Sequence, residues 1–78
     1  MELETVILEN KEEYIVIDTI EIQDNKYIYL GKQQELENNS MENIVIRKLD
    51  KKEKYILGLD NREEYKLALE AYITKYNN

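Results

Sequence analysis

The chain has 78 residues, a formal net charge of −6, and neither cysteine nor histidine. This composition excludes disulfide bridges, zinc sites built from His and Cys, and nucleophilic catalysis by Cys–His or Ser–His–Asp sets. The length suits one domain. We therefore expect residues 1–78 to form a single domain whose modest core depends on strand pairing and one packed helix.

The distribution of apolar and charged residues bears on location and partners. No apolar run approaches the ~20 residues of a membrane-spanning helix. The opening stretch MELETVILEN has no basic region ahead of its apolar residues, so we expect no signal peptide and a cytoplasmic location. Residues 1–39 carry a net charge of −7 and residues 40–78 a net charge of +1. The acidic half should repel nucleic-acid backbones, which predicts no direct binding of nucleic acid.

The first half of the chain reads as three strands. Thr5–Leu8 predicts a short strand, and Glu9–Glu12 predicts a turn in which Asn10 takes the strained conformation. Tyr14–Leu30 predicts a long hairpin, because Val, Ile, Thr and Tyr crowd both of its arms. Gly31 is expected either to end the third strand or to allow a bulge in it.

The loop of this hairpin fixes which side chains share a face. We predict a three-residue loop, Gln23-Asp24-Asn25, with Asn25 left-handed. The core face then holds Ile20, Ile22, Ile28 and Leu30. The other face holds Thr19, Glu21, Tyr27 and Tyr29. A two-residue loop at Asp24-Asn25 would mix apolar and polar residues on both faces, so the pattern favours three residues.

One residue conflicts with this alternation. Continued backwards, the pattern places Asp18 on the core face and leaves Ile15 and Ile17 outside. A bulge near Asp18-Thr19 would bring both isoleucines inward. The alternative is a strand covered on both faces with Asp18 near its end, and the sequence leaves both interpretations open.

The second half begins with a polar stretch. Residues 32–43 lack usable periodicity and predict the longest loop, in which Gln33–Glu37 could form a short helical turn. Ile44–Leu49 and Lys54–Leu57 predict a fourth and a fifth strand, joined by a turn over Asp50–Glu53.

The last element is a helix. Asp60 with Glu63 predicts a capping box at its start. Apolar residues then recur at three- and four-residue steps, which indicates an amphipathic helix of about four turns. They are Tyr65, Ala68, Leu69, Tyr72, Ile73 and Tyr76. We expect Tyr65, Leu69, Tyr72 and Ile73 to cover the face formed by Ile20, Ile22, Ile28 and Leu30.

The element order is therefore β-β-β-loop-β-β-α. Consecutive short strands usually pair antiparallel, and a lone amphipathic helix covers an apolar sheet face. The sequence predicts an α+β fold: an antiparallel sheet of about five strands with one C-terminal amphipathic helix packed on one face.

Two segments carry a resemblance to a known family. ENKEEYIVIDTIEIQDNKYIYL and NIVIRKLDKKEKYILGLDNREEY, separated by a polar loop, resemble the small bacterial family catalogued as domain of unknown function 1292. Its members are short, acidic and free of cysteine, with a Val-Leu-Asp-Thr-like stretch where this chain has Val16-Ile17-Asp18-Thr19. This chain departs from the family in a less acidic central loop and in Asn25, where glycine is common. The family has no known catalytic residue, so the resemblance implies none here.

Enzymatic chemistry finds little support in the sequence. Glu12-Glu13 and Glu63-Glu64 are paired carboxylates, but both pairs fall in turns or caps, where solvation explains them. Neither a calcium-loop spacing nor a glycine-rich phosphate loop is present. We expect no enzyme, no catalytic residue, no metal and no cofactor.

Two functional hypotheses remain. The first is a non-catalytic protein-interaction module or adaptor that binds an unknown protein partner. The alternative is an acidic nucleic-acid mimic that blocks a basic groove on a nucleic-acid-binding protein. For either, the predicted interaction surface comprises Glu12, Glu13, Glu21, Asp24, Tyr27 and Tyr29. A homodimer through the edge of the first or fifth strand is a further option.

Overall fold

The computed structural model describes residues 4–32 and 44–77. Within these ranges the chain forms five strands and one helix: β1 (Thr5–Ile7), β2 (Glu13–Ile22), β3 (Asn25–Gly31), β4 (Val45–Leu49), β5 (Ile56–Leu57) and α1 (Arg62–Tyr76). The strands form one antiparallel sheet in chain order, which confirms the predicted α+β fold. The predicted loop over residues 32–43, with its optional helical turn, lies outside the described residues beyond Lys32.

The hairpin loop is shorter than predicted. Ile22 pairs with Asn25, so only Gln23 and Asp24 lie between the strands. Their φ angles are 48° and 69°, and two consecutive left-handed residues are typical of a type I′ turn, whose twist matches that of the flanking strands. The predicted three-residue loop is therefore wrong, and Asn25 begins β3 rather than occupying the left-handed position.

The shorter loop reverses the predicted faces of β3. Ile20 pairs with Tyr27, so these two side chains share the face that α1 covers. Ile28 and Leu30 point to the opposite face, and their predicted place beneath the helix is wrong. Residues 27–31 are all buried, so β3 is covered on both faces and alternation of polarity could not distinguish them.

Two apolar clusters result, one on each face of the sheet. The buried residues beneath α1 are Tyr27, Tyr29, Ile46, Ala68 and Tyr72, with Ile17, Ile20, Ile22, Ile44, Leu59 and Leu69 packed around them. The buried residues of the other cluster are Leu8, Tyr14, Ile28 and Leu30, with Val6, Val16 and Val45 around them.

β2 contains the bulge that one interpretation of the sequence required. Val16 pairs with Leu30 and Asp18 pairs with Tyr29, so Ile17 is the extra residue. Its side chain packs against the cluster beneath α1, as predicted. Asp18 also lies on the helix side of the sheet, because it pairs with Tyr29 and alternates regularly with Ile20, which pairs with Tyr27.

In the turn between β1 and β2, Asn10 does not take the left-handed conformation that was predicted for it. Lys11, with a φ of 65°, takes the left-handed conformation expected of Asn10. Asn10 contributes through its side chain instead, because its Oδ1 accepts a hydrogen bond from the Glu12 amide at 3.1 Å. An Asn side chain that bonds two residues ahead stabilises a turn without itself being left-handed.

The helix cap lies one residue later than predicted. Asn61 is the N-cap, and its side chain accepts a hydrogen bond from the Glu64 amide at 2.8 Å. Glu64 in turn accepts from the amide of Asp60 at 2.8 Å. The predicted Asp60–Glu63 box is therefore wrong. The sequence did not distinguish the two positions, because Asp60 and Asn61 are both good capping residues and each is followed by a glutamate three residues on.

The helix is also rotated relative to the predicted contact face. Ala68 and Tyr72 are its buried residues, whereas Tyr65 is 42% exposed and Ile73 is 48% exposed. The prediction is right for Tyr72, partly right for the half-buried Leu69, and wrong for Tyr65 and Ile73. The small side chain of Ala68 lets α1 approach the sheet closely, which the wide apolar stripe alone does not reveal.

Candidate interaction surface

The predicted acidic surface is divided between two ends of the molecule. Glu12 and Glu13 lie at the start of β2, whereas Glu21 lies near its end and Asp24 in the turn that follows. Glu21 lies nine positions after Glu12 along nearly fully extended chain, a span of about 30 Å at ~3.3 Å per residue. The four carboxylates therefore do not form one patch.

The two tyrosines of the predicted surface belong to the core. Tyr27 and Tyr29 are buried beneath α1, and their hydroxyls donate to Glu64 Oε2 at 2.8 Å and to the Ala68 carbonyl at 2.7 Å. Burial raises the pKa of Tyr29 to about 12, so its hydroxyl stays a neutral donor at physiological pH. Their predicted place on the outer face beside the acidic residues is wrong.

Several carboxylates on the acidic half have cationic partners. Lys32 lies 2.7 Å from Glu12 Oε2, and Arg47 lies 3.3 Å from Glu9 Oε1. The hydrogen bond and charge of Lys32 lower the pKa of Glu12. These exposed pairs contribute little to stability, but they neutralise part of the negative field that a nucleic-acid mimic needs.

A polar hollow lies between the β2–β3 turn and the β4–β5 turn. It has a volume of about 240 Å³ and is lined by Glu21, Asp24, Lys26, Leu49, Asp50, Lys51 and Glu53. Lys26 Nζ lies 2.6 Å from Glu53 Oε1, and Lys51 Nζ donates to the Asp24 carbonyl at 3.2 Å. Lys51 thus links the two turns, and Lys26 links β3 to the β4–β5 turn. Within residues 4–32 and 44–77, no group of acidic side chains is arranged to hold a metal ion.

Glu64 joins the start of α1 to the sheet. Its carboxylate accepts from the Tyr27 hydroxyl at 2.8 Å, from Lys48 Nζ at 3.1 Å and from the Asp60 amide at 2.8 Å. Burial alone would raise the pKa of Glu64, but these three donors outweigh it and hold the pKa below its ordinary value. These contacts join the start of α1 to β3 and β4.

Asp18 joins the C-terminal end of α1 to the sheet. Its Oδ2 accepts from Lys75 Nζ at 2.7 Å and from the Tyr76 hydroxyl at 2.5 Å, and its Oδ1 accepts from the Thr19 amide at 2.8 Å. Burial opposes ionisation, but the donors prevail and the pKa of Asp18 is lowered. The sequence did mark Asp18 as unusual, because it is a lone acidic residue in an apolar strand. It did not reveal the partners of Asp18, since Lys75 and Tyr76 lie on a distant helix.

An apolar recess lies beside the C-terminal half of α1. It has a volume of about 320 Å³ and is lined by Ile44, Leu69, Tyr72, Ile73, Tyr76 and Asn77, and we call it the helix groove. Tyr76 is 56% exposed, and Ile73 also faces solvent. The groove was not predicted, because the apolar spacing of the helix assigned Leu69 and Ile73 to the contact with the sheet.

Apolar side chains are also exposed at the two edges of the sheet. Ile56 and Leu57 of β5 are exposed, as is Ile7 of β1, and among the described residues each of these strands has a neighbour on one side only. β5 has two residues and β1 has three, so neither offers a long row of free backbone groups to a second chain.

Comparison of this chain with protein families, with curated proteins and with solved structures finds no match. The resemblance to domain of unknown function 1292 stays a prediction. Among the residues described, no helix has the length and apolar character needed to cross a membrane.

Proposed function

We propose that this chain is a non-catalytic, cytoplasmic protein-interaction module that binds through the helix groove. The observation that carries this proposal is the apolar flank of α1, where Ile73 and Tyr76 stay exposed beside a recess lined mainly by apolar side chains. Contiguous apolar surface of this kind is typical of protein-binding sites. Tyrosine is also among the residues that contribute most to protein interfaces.

The acidic nucleic-acid mimic is the alternative proposal. It rests on the net charge of −6. Two observations favour the interaction module over it: Glu12 and Glu21 lie far apart along β2, and Glu12 is paired with Lys32. A mimic presents its carboxylates together on one surface, since only a concentrated negative field competes for a basic groove.

A matched pair of variants tests the proposed function. Ile73→Asp places a charge in the helix groove, while Leu67→Asp places one at a similarly exposed position about 120° around the helix. Cross-linking in the native cell, followed by capture of the tagged full chain, should recover the same partner with the parent and with Leu67→Asp. We expect Ile73→Asp to lose it. Equal loss with both variants would contradict binding through the groove.

A gel-shift test distinguishes both proposals from a third possibility, a protein that itself binds nucleic acid. At a net charge of −6 the protein should leave the mobility of duplex DNA and RNA unchanged at moderate salt. A salt-sensitive gel shift at micromolar protein would overturn both the module and the mimic. A captured partner that duplex DNA displaces would instead support the mimic.

A further inference from the structure

We propose that the occupant of the helix groove is a second copy of this chain, and that two copies pair their α1 helices antiparallel about a two-fold axis near Leu69. This inference rests on the proposed function, because it names the partner of the same groove. In this arrangement Tyr65 of each copy enters the helix groove of the other.

The positions of Tyr65 and of the groove support this symmetry. Tyr65 and Ile73 lie four residues on either side of Leu69, about 6 Å along the helix axis in each direction. All three lie on the flank of α1 that the sheet leaves partly uncovered. A two-fold axis at Leu69 therefore places Tyr65 of one copy opposite Ile73 of the other, and the contact is repeated on both sides.

Shape and chemistry agree with a tyrosine as the inserted residue. The groove of about 320 Å³ is large enough for an aromatic side chain, and its lining is mainly apolar. Tyr65 is exposed and holds its ring at low entropic cost, because only two side-chain torsions must be fixed. The helix thus carries both a projecting residue and the recess that fits it.

The charges along this flank are self-complementary. Lys66 and Glu70 are exposed, one helical turn apart, on the same side of the apolar stripe. The antiparallel arrangement brings Lys66 of each copy near Glu70 of the other. Helix Arg62–Tyr76 contains three basic and three acidic residues, so its surface is neutral in a chain of net charge −6, and two copies approach there with least repulsion.

The sheet edges, which the sequence suggested for a homodimer, suit this role less well. Pairing through β5 or β1 would add few backbone hydrogen bonds because these strands have two and three residues. The helix flank, by contrast, offers apolar side chains, a recess and complementary charges together. It is still a single helix face, so we expect a small interface and a micromolar or weaker Kd.

The first experiment measures the mass of the full chain by sedimentation equilibrium from about 10 μM to 1 mM, the range in which a Kd of this size is detected. The parent should pass from monomer to dimer with rising concentration. Ile73→Asp should raise the dimer Kd by at least about tenfold, since it places a charge in an apolar contact, whereas Leu67→Asp should leave it unchanged.

A mixing experiment tests the antiparallel geometry itself. Lys66→Glu gives a copy with two acids at these positions, and Glu70→Lys gives a copy with two lysines. Each variant alone should be monomeric where the parent dimerises, because like charges face each other. An equimolar mixture should form heterodimers, since every cross-pair then has opposite charges. Changes within one helix cannot produce this rescue, and thermal melts of each variant check that both are folded.

The outcomes separate this inference from the proposed function. Heterodimers in the mixture, with neither variant dimerising alone, support the two-fold helix pair. A parent that is monomeric throughout overturns the second copy as occupant, while capture of another partner that Ile73→Asp abolishes would still support the interaction module. A dimer that resists Ile73→Asp but is lost with Ile56→Lys overturns the helix pair in favour of a sheet-edge contact.

Discussion

The hairpin turn contains two left-handed residues, Gln23 and Asp24, neither of which is glycine. A residue with a β-carbon is less stable in this conformation than glycine. Asp tolerates the left-handed region better than most residues, but Gln has no such advantage. The turn therefore contains local strain, which the pairing of Ile22 with Asn25 maintains.

The first prediction uses adjacent positions with opposite expectations. Asp24→Gly should stabilise the protein by about 0.5–1 kcal/mol, because glycine has no steric cost at a positive φ. Asn25→Gly should destabilise it by about the same amount, because glycine weakens an extended strand. Urea unfolding of both variants measures the difference. The reverse order of stabilities would show that the loop has three residues after all.

The hydroxyl of Tyr29 gives a second prediction. It is fully buried and donates to the carbonyl of Ala68 at 2.7 Å. Tyr29→Phe should cost about 1 kcal/mol, the usual net contribution of one hydrogen bond. Tyr65→Phe is the control, because the exposed Tyr65 has no such bond to the sheet among the described residues. Chemical unfolding at low protein concentration, where copies stay apart, should rank Tyr29→Phe well below both the parent and the control.

At the scale of whole elements, the sequence predicted which strands and helix form better than it predicted which of their faces are buried. Strand composition and the three- and four-residue spacing of the helix were enough to give all the described elements in order. The faces of β3 could not be assigned, because Tyr27 and Ile28 are both suited to burial and both are buried. The rotation of α1 depended on the small volume of Ala68, a property of packing rather than of periodicity.

The rotation of α1 leads to a third prediction. Tyr72→Ala should cost about 3–5 kcal/mol, because it removes a buried ring that stacks on Tyr29 with their centroids 4.9 Å apart. Total stability for so small a domain should lie near the low end of ~5–15 kcal/mol, so this variant should be largely unfolded or barely folded.

The control for this prediction is Leu67→Ala, at an exposed position of the same helix. It should change stability by less than about 0.5 kcal/mol. Leu69→Ala should fall between the two, because Leu69 is only partly covered. Thermal melts at low concentration measure all three. If Leu69→Ala were the most destabilising, α1 would be rotated as the sequence predicted.

For the whole molecule, the candidate site was less predictable than the fold. The predicted surface grouped Glu12 and Glu21, but a ten-residue strand separates the ends at which they lie. The helix groove arises where Ile44, just before β4, meets the exposed flank of α1. That contact joins residues about thirty positions apart and depends on the helix rotation, so no local pattern predicted it.

Two polar contacts between α1 and the sheet make the stability of the protein depend on pH in the acid range. Glu64 and Asp18 join the two ends of α1 to the sheet, and the pKa of each is lower in the folded protein than its ordinary value of 4.5 or 3.8. The unfolded chain therefore binds these protons more tightly than the folded chain. Their contribution to stability is fully present above those ordinary values and is lost as the pH falls through the lowered ones.

The last prediction follows from this linkage. The parent should lose stability as the pH falls below about 4.5, because protonated Glu64 no longer accepts strong hydrogen bonds from Lys48 and Tyr27. Glu64→Gln should be less stable than the parent at neutral pH, yet lose less on acidification, since it has no proton to take up. Glu63→Gln, the exposed neighbour, controls for the removal of one negative charge and should follow the parent. Urea unfolding between about pH 3 and pH 7 gives the slope of the free energy of unfolding against pH for each of the three proteins. Equal slopes for the parent and Glu64→Gln would mean that Glu64 does not couple the helix to the sheet.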